Sequence, residues 1–240
     1  MLISHPIPIF STAVAWACAA AVLARYLRNR RPAMLLWGIG LVFYGLGTFS
    51  EAYLALAYHP AILRLWYLSG ALLTPAWLGQ GTVYLLLRPR RLANGLMVAL
   101  AALSALAALK VFTAPLMDIP FNTALPVSAQ YQPILTRDSL TILLLIVLTL
   151  YGTTGLVGGA IYSSYLYWRK RILPNRVVGN ILIAVGALLP ATAGAQVANN
   201  LGVDWLYLSE LLGAVIMFAG FSLAATAAES LRPRAAEAVA

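Results

Sequence analysis

Long apolar stretches alternate with short clusters of arginine along this chain, and this alternation limits the folds that it can adopt. An α-helix needs about 20 residues to cross the ~30 Å hydrocarbon layer of a bilayer. Seven apolar stretches come close to or exceed that length. The sequence therefore predicts an all-α integral membrane bundle of seven transmembrane helices, with the whole chain, 1–240, forming a single domain. The predicted spans cover residues 7–24, 33–57, 61–87, 92–112, 138–168, 177–198 and 204–228.

The composition fits a lipid environment and argues against a soluble protein. Apolar residues make up 62% of the chain and charged residues only 10%, whereas soluble domains carry about 25% charged residues. In water such a chain would leave large apolar patches exposed. The net charge of +9 does not indicate a nucleic-acid partner, because the basic residues are clustered between apolar stretches and do not follow a polar face. We therefore expect membrane lipid, and no nucleic acid, as a partner.

The arginine clusters also predict the direction in which the chain crosses the membrane. Lysine and arginine accumulate in cytoplasmic loops, and thirteen of the sixteen basic residues follow spans one, three, five and seven. The first span is followed, not preceded, by this charge, so we expect it to stay in the protein and not to be a cleaved signal peptide. The N-terminus is thus predicted outside and the C-terminus in the cytoplasm of a multi-pass protein of the bacterial plasma (cytoplasmic) membrane. The thirteen residues are Arg25, Arg28, Arg30, Arg31, Arg88, Arg90, Arg91, Arg169, Lys170, Arg171, Arg176, Arg232 and Arg234.

Proline and glycine mark places where the spans are expected to bend or to approach each other closely. Pro75 and Pro190 fall in the middle of spans three and six, where a kink is tolerated if neighbouring groups satisfy the freed carbonyl. In span five Gly155, Gly159 and Ser163 recur every four residues and form a small-residue strip. Such a strip predicts close packing against another helix, which could belong to the same chain or to another copy.

The longest connection is the external loop 113–137, which is rich in proline and also carries Phe121 and Tyr131. Loops of this length are usually functional lids or flexible linkers. Two alternatives follow from its apolar content: a cap over the outer mouth of the bundle, or a loop that lies at the membrane interface. Its prolines are Pro115, Pro120, Pro126 and Pro133.

Two glutamates within the spans are the main candidates for a binding site. Glu51 lies near the outer end of span two, and Glu210 lies about six residues inside span seven, each on a helical face that carries glycine. A charged group deep in the membrane costs roughly 2.5–3.5 kcal/mol on insertion scales, so such a residue is a functional candidate by default. In the structural alternative, Glu51 pairs with Arg64 or His59, and Glu210 accepts hydrogen bonds from nearby hydroxyls. The predicted ligand-binding residues are Glu51, Glu210, Arg64, Tyr207 and Gln196.

Motifs of known enzymes are missing from the sequence. It contains no Walker loop, no zincin histidine pair, no nucleophile elbow and no dinucleotide fingerprint. His5 and His59 lie in separate segments without the spacing of metal ligands, and the single cysteine, Cys18, lies in an apolar stretch. We therefore expect no enzymatic activity, no catalytic residues, no metal site and no cofactor.

Short motifs in spans two, three and six resemble those of a known type of membrane sensor. On these motifs the chain resembles, over nearly its whole length, the N-terminal seven-transmembrane sensory region of certain bacterial histidine kinases. The resemblance implies a sensory module with an outward-facing ligand site. That region usually continues into a kinase or cyclase, whereas this chain ends at Ala240, so we expect the signal to pass to a separate protein. The motifs are Leu36-Trp37-Gly38, Gly45-Leu46-Gly47 before Glu51, Leu65-Trp66-Tyr67-Leu68-Ser69-Gly70, Pro75-Ala76-Trp77-Leu78 and Gly186-Ala187-Leu188-Leu189-Pro190.

Three functions follow from these observations. The first is a stand-alone receptor-like module that binds a small or lipid-like ligand from the outer side, between spans two, three, six and seven and beneath the loop. Binding would change the kinks at Pro75 and Pro190 and signal to a cytoplasmic or membrane partner. The second is a structural or accessory subunit of a membrane complex, with the strip of span five as its interface. The third is a small transporter that uses Glu51 and Glu210 as proton or cation sites.

Overall fold

The computed structural model describes residues 6–87, 89–169, 174–198 and 203–229, with side chains left out of the description at 174, 176, 194–198, 203, 204 and 224–229. These residues are almost entirely helical and contain no β-strand. The helices are α1 (Pro6–Asn29), α2 (Pro32–Leu54), α3 (Pro60–Leu86), α4 (Arg90–Thr113), α5 (Val127–Ile134), α6 (Ser139–Arg169), α7 (Pro174–Ala198) and α8 (Val203–Glu229).

Six of the described helices are long and apolar enough to cross a membrane, which suggests a multi-pass membrane protein. They are α1, α2, α3, α4, α6 and the part of α8 from Trp205 to Leu223. Helix α7 has 25 residues, but its described apolar part, Val177–Ala193, is shorter than a full span. The predicted all-α membrane fold is therefore supported, with six candidate spans in place of the seven predicted.

Three helix ends differ from the prediction by three residues or more, one of them the start of α7, at Pro174 and not at 177. Helix α1 continues past residue 24 to Asn29, because long arginine side chains can reach water while the helix below them stays intact. Helix α2 ends at Leu54 and not at 57, and a turn follows in which Leu56 and Ala57 donate to the Tyr53 carbonyl. The helix could not continue through His59, which is extended, because the residue before a proline disfavours helical backbone.

The long helices form a closed ring in the order α1, α2, α3, α6, α7, α8, and α4 packs outside it against α3 and α6. Neighbours in the chain run antiparallel, so the helix ends collect in two groups. One group, the basic end, carries Arg28, Arg31, Arg90 and Arg169. The opposite group, the capping end, carries the turn 55–59 and the segment 114–138.

Helices α3 and α6 touch through their backbones. A Cβ atom added to Gly152 would lie 2.1 Å from the Pro75 carbonyl carbon, and one added to Gly79 would lie 2.6 Å from the Gly152 carbonyl oxygen. Farther along, a Cβ on Gly155 would lie 3.1 Å from the Gly79 carbonyl oxygen. Only glycine allows this approach. The partner of the small-residue strip is therefore α3 of the same chain.

Both of these helices contain a π-helical segment, Tyr67–Leu73 in α3 and Thr154–Gly158 in α6. In α3 the segment comes just before Pro75, which has no N–H group to donate to the Ala71 carbonyl one turn earlier. The Thr149 hydroxyl of α6 donates to this carbonyl at 3.4 Å. A neighbouring helix thus satisfies the backbone group that the proline leaves free, as an apolar environment requires.

The segment 114–138, which we call the capping segment, folds over one end of the bundle. Its residues Val127, Tyr131, Ile134 and Leu135 are buried. The segment doubles back on itself, with the Met117 N–H donating to the Ile134 carbonyl at 2.9 Å. The predicted loop 113–137 thus packs over one end of the bundle and includes a helix, α5, while the outward position of that end stays a prediction.

Candidate functional site

A cavity of about 500 Å³ lies inside the ring of helices, beneath the capping segment. Small-molecule sites in proteins typically measure ~300–1,000 Å³ and have mostly apolar walls with a few polar groups. This cavity has the same character, because most of its wall is apolar and its acidic groups come together near the capping end. Its apolar wall includes Leu78, Leu145, Leu156, Val157, Leu206 and Met217.

Glu51 is the most deeply buried acid of the site, with 2% of its surface exposed. It is near the end of α2, on the cavity side that it shares with Tyr44 and Gly47. The indole N–H of Trp66 in α3 donates to Glu51 Oε1 at 2.8 Å. The other oxygen, Oε2, receives no donor from the described residues. Of the two carboxyl oxygens, Oε1 therefore accepts a hydrogen bond from the protein, and Oε2 accepts none from the described residues.

Glu210 of α8 lies next to Glu51, although the two are far apart in the sequence. The Tyr44 hydroxyl of α2 donates to the Glu210 main-chain carbonyl at 2.6 Å, and this bond fastens α8 against α2. The two carboxyl groups lie close to each other at the same end of the cavity. Glu210 Oε2 is also buried without a donor from the described residues.

Three aromatic rings and one hydroxyl complete the polar end of the cavity. Trp66 meets Tyr131 edge-on, with ring centroids 5.1 Å apart, and Tyr67 lies 5.7 Å from Tyr131. Ser128 of α5 is 4% exposed, lines the cavity, and its Oγ has no hydrogen-bond partner in the described part of the chain. The Tyr67 hydroxyl is likewise buried without a partner among the described residues. The capping segment thus supplies both a wall and one of the unpartnered oxygens.

The structure brings together two of the five predicted site residues. Glu51 and Glu210 line the cavity. Arg64 and Tyr207 are not part of its lining and instead hold the capping segment. Arg64 Nη2 donates to the Ala114 carbonyl at 2.8 Å, and the Tyr207 hydroxyl accepts from the Val127 N–H at 3.3 Å. The side chain of Gln196 falls outside the described residues.

Neither of the pairings considered for Glu51 occurs. The ring of His59 accepts from the Ala61 N–H at 3.2 Å and caps the start of α3, while Arg64 reaches the capping segment. Within the described residues the ion pair found is Lys110–Asp138, and no group of three potential metal ligands occurs there.

The sequence contained a signal that could have placed Trp66 in the site. Helices α2 and α3 are antiparallel and joined by the short turn 55–59, so residues at similar distances from this turn lie at similar depth. Glu51 lies three residues before the end of α2, and Trp66 lies six residues after the start of α3. An indole N–H at that depth is a natural donor for a buried carboxyl. Ser128 and Tyr131 gave no such signal, because their position depends on the fold of the capping segment.

No protein-family model, no curated protein and no solved structure matches the chain. The resemblance to the sensory region of histidine kinases therefore stays a prediction. What can be said of function depends on the geometry of the cavity and its acids.

Proposed function

We propose that this chain is a seven-span sensory module of the bacterial plasma membrane that binds a small ligand in the cavity between its helices. In this proposal the capping end faces outward and the basic end faces the cytoplasm, in accord with the distribution of arginine. Helix α7 adds the crossing that brings the six candidate spans to seven. The resemblance to the sensory region of histidine kinases supports the same function.

The observation that carries the proposal is a set of buried oxygens without partners, facing an otherwise apolar cavity. Among the described residues they are Glu51 Oε2, Glu210 Oε2, Tyr67 Oη and Ser128 Oγ. A buried polar group left without a hydrogen bond costs about 1–3 kcal/mol. A ligand that donates hydrogen bonds to these oxygens removes that cost. We therefore expect the folded protein to be more stable with the cavity occupied than with it empty.

The π-helical segments offer a route from ligand binding to a signal. The cavity is lined by Tyr67, Gly70 and Ala71 of the α3 segment and by Leu156 and Val157 of the α6 segment. π-Helical turns often mark functional sites in helices. A ligand that contacts them favours whichever backbone form it fits better. Since α3 and α6 both end at the basic end, such a change would move the surface that a signalling partner contacts.

The packing of the small-residue strip removes the main argument for the accessory-subunit alternative. That alternative was based on the strip as an interface with another protein, and the strip packs inside the chain against α3. The transporter alternative stays a prediction. It predicts a proton or cation flux in proteoliposomes that depends on Glu210.

The experiment is a ligand screen on the full chain in phospholipid nanodiscs, with the melting temperature as readout. A ligand at 100 times its Kd stabilises the folded state by about 2.7 kcal/mol. We expect such a ligand to raise the melting temperature of the wild type and to lose this effect in Glu51→Gln. Asp138→Asn, an acid-to-amide change outside the cavity, is the matched control and should respond like the wild type.

Two results would count against the sensor. If no compound in the screen raises the melting temperature, the cavity is not a ligand site. If proteoliposomes show a proton or cation flux that Glu210→Gln abolishes, the acids serve transport.

A further inference from the structure

We propose that the ligand is a single-chain amphiphile with a protonated primary amino head group, which enters the cavity from the membrane between α6 and α7. This proposal rests on the sensor function above and adds the chemical class of the ligand and its route.

The first step is a lateral opening in the ring of helices. From its π-helical segment onward α6 packs against α7, whereas its earlier part, Ser139–Thr153, barely contacts α7. The two helices therefore diverge toward the capping end. Ile146 and Leu150 line the cavity and are nevertheless 49% and 62% exposed. On the evidence of these described residues, the cavity reaches the side of the bundle.

The second step is the depth of this opening. Leu150 lies eleven residues after the start of α6, or about 16 Å along the helix at 1.5 Å per residue. This depth is near the middle of a ~30 Å hydrocarbon layer. In a membrane the opening therefore faces lipid tails and not water.

The third step is the cover at the capping end. Ser128 and Tyr131 of α5 line the cavity there and are 4% and 9% exposed. Tyr131 packs on Trp66, and the Val127 N–H donates to the Tyr207 hydroxyl of α8. Within the described part of the chain, the path from water at this end is thus covered while the path from lipid is open, which favours a ligand dissolved in the membrane.

The fourth step is the head group. The unpartnered oxygens Glu51 Oε2, Glu210 Oε2, Tyr67 Oη and Ser128 Oγ can all accept hydrogen bonds, and a primary ammonium carries three N–H donors. Among the described residues no protein cation forms an ion pair with either glutamate, so the ammonium would supply the charge that the acid pair lacks. The ring of Trp66 lines the same end of the cavity and also favours a cation, whereas the ring of Tyr67 already meets the Arg137 guanidinium, 6.0 Å from its centroid. A phosphate or carboxylate head group would be repelled.

The fifth step is the tail. Away from the acids, the cavity wall toward the opening is mostly apolar and also includes Thr149 and Thr153; its apolar residues include Leu145, Ile146 and Leu150 of α6 and Ala187 and Ala191 of α7. This wall suits an alkyl chain that lies between the two helices with its end toward the lipid. A short hydrophilic amine would leave the apolar wall uncovered.

The head group is tested with four probes in phosphatidylcholine nanodiscs that contain the full chain, with empty nanodiscs as the blank. The probes are dodecylamine, 1-dodecanol, dodecyltrimethylammonium and butylamine. We expect one saturable dodecylamine site per chain and at least tenfold weaker binding of the other three. Glu51→Gln should weaken dodecylamine at least tenfold and leave dodecanol unchanged, whereas Asp138→Asn should affect neither. Should Glu51→Gln not fold, Glu210→Gln provides the same comparison.

The route is tested by narrowing the opening. Leu150→Trp should slow the binding of dodecylamine at least fivefold while the melting temperature stays close to that of the wild type. Leu143→Trp is the matched control, because Leu143 is exposed on α6 and does not line the cavity. Its binding rate should not change.

The outcomes separate this proposal from the sensor function. Equal binding of dodecanol and dodecylamine, unaffected by Glu51→Gln, overturns the amino head group. Equal binding of butylamine and dodecylamine, unaffected by Leu150→Trp, overturns the entry from lipid. Failure of dodecylamine to bind overturns the whole proposal, but it leaves the sensor function standing unless every compound of the wider screen also fails.

Discussion

At the scale of single residues, the hydrogen bond from Trp66 to Glu51 matters most for the site, because both groups are buried. Trp66→Phe keeps an aromatic ring and removes the donor, so Glu51 Oε1 loses its partner. Leaving a buried acceptor unsatisfied costs about 1–3 kcal/mol. We expect a lower melting temperature, measured by scanning fluorimetry in nanodiscs.

The matched control for this change is Trp77→Phe. The Trp77 indole donates at 3.2 Å to a neutral, partly buried hydroxyl, that of Ser104, and hydrogen bonds to neutral groups contribute less than those to charged ones. A fall in melting temperature for Trp77→Phe as large as that for Trp66→Phe would contradict a special role for the Glu51 contact.

Asp138 predicts a pH dependence at the capping end. It begins α6 by accepting from the Thr141 N–H at 2.9 Å, and it pairs with Lys110 at the end of α4. The hydrogen bond and charge of Lys110, with the two bonds from Thr141, hold the pKa of Asp138 well below its usual 3.8. The carboxylate is thus favoured in the folded state, so its contribution to stability is complete above that usual value and is lost as the pH falls below it.

We therefore expect the melting temperature of the wild type to fall more steeply than that of Asp138→Asn when the pH is lowered from 5 to 3. Because the pair is exposed, the difference should be small and should shrink in high salt. Melting curves at several pH values and two salt concentrations measure it. Parallel profiles of melting temperature against pH for the two proteins would show that Asp138 contributes nothing to the pH dependence of stability.

At the scale of helices, the contact between α3 and α6 supports one wall of the cavity. Gly152→Ala places a methyl group 2.1 Å from the Pro75 carbonyl carbon, so the helices must separate. Overpacking of this kind costs about 1–3 kcal/mol. Because Pro75 and Gly152 both line the cavity, we expect a lower melting temperature and weaker ligand binding.

Gly95→Ala is the control for the change in helix propensity. Gly95 lies in α4, and an added Cβ would meet nothing within 4 Å. Alanine is favoured over glycine in a helix by about 1 kcal/mol, so Gly95→Ala should be neutral or slightly stabilising. If Gly152→Ala changed the melting temperature and ligand binding no more than Gly95→Ala does, that result would contradict the close contact between α3 and α6.

Most helices were predictable within a few residues, whereas their irregular parts were not. The apolar stretches mark where a helix crosses lipid, since its backbone must be satisfied internally. The π-helical segments Tyr67–Leu73 and Thr154–Gly158 lie in equally apolar sequence and depend on contacts between α3 and α6. Helix α5 escaped prediction because its helical stretch is short and contains Pro133.

At the scale of the whole molecule, the proposed seven crossings and their direction can be measured by cysteine labelling. The native Cys18 is buried and is replaced by alanine. Single cysteines at Tyr58 and Asp118 test the capping end, and cysteines at Arg30 and Arg169 test the basic end. With a membrane-impermeant maleimide we expect the first pair to label in intact cells and the second pair to label only after permeabilisation. Labelling of Arg30→Cys or Arg169→Cys in intact cells would overturn the orientation.

The sequence by itself determined the helices, the position of the long loop and the depth of each acid, because these follow from the length of apolar stretches and from counting along a helix. Only the tertiary structure decided that Glu51 lies beside Glu210, that Trp66 and Ser128 join them, and that Arg64 and Tyr207 hold the cap. Counting along a helix says how deep a residue lies but not which helix it faces. The facing depends on packing between distant segments, such as the bond from Tyr44 to Glu210 across 166 residues.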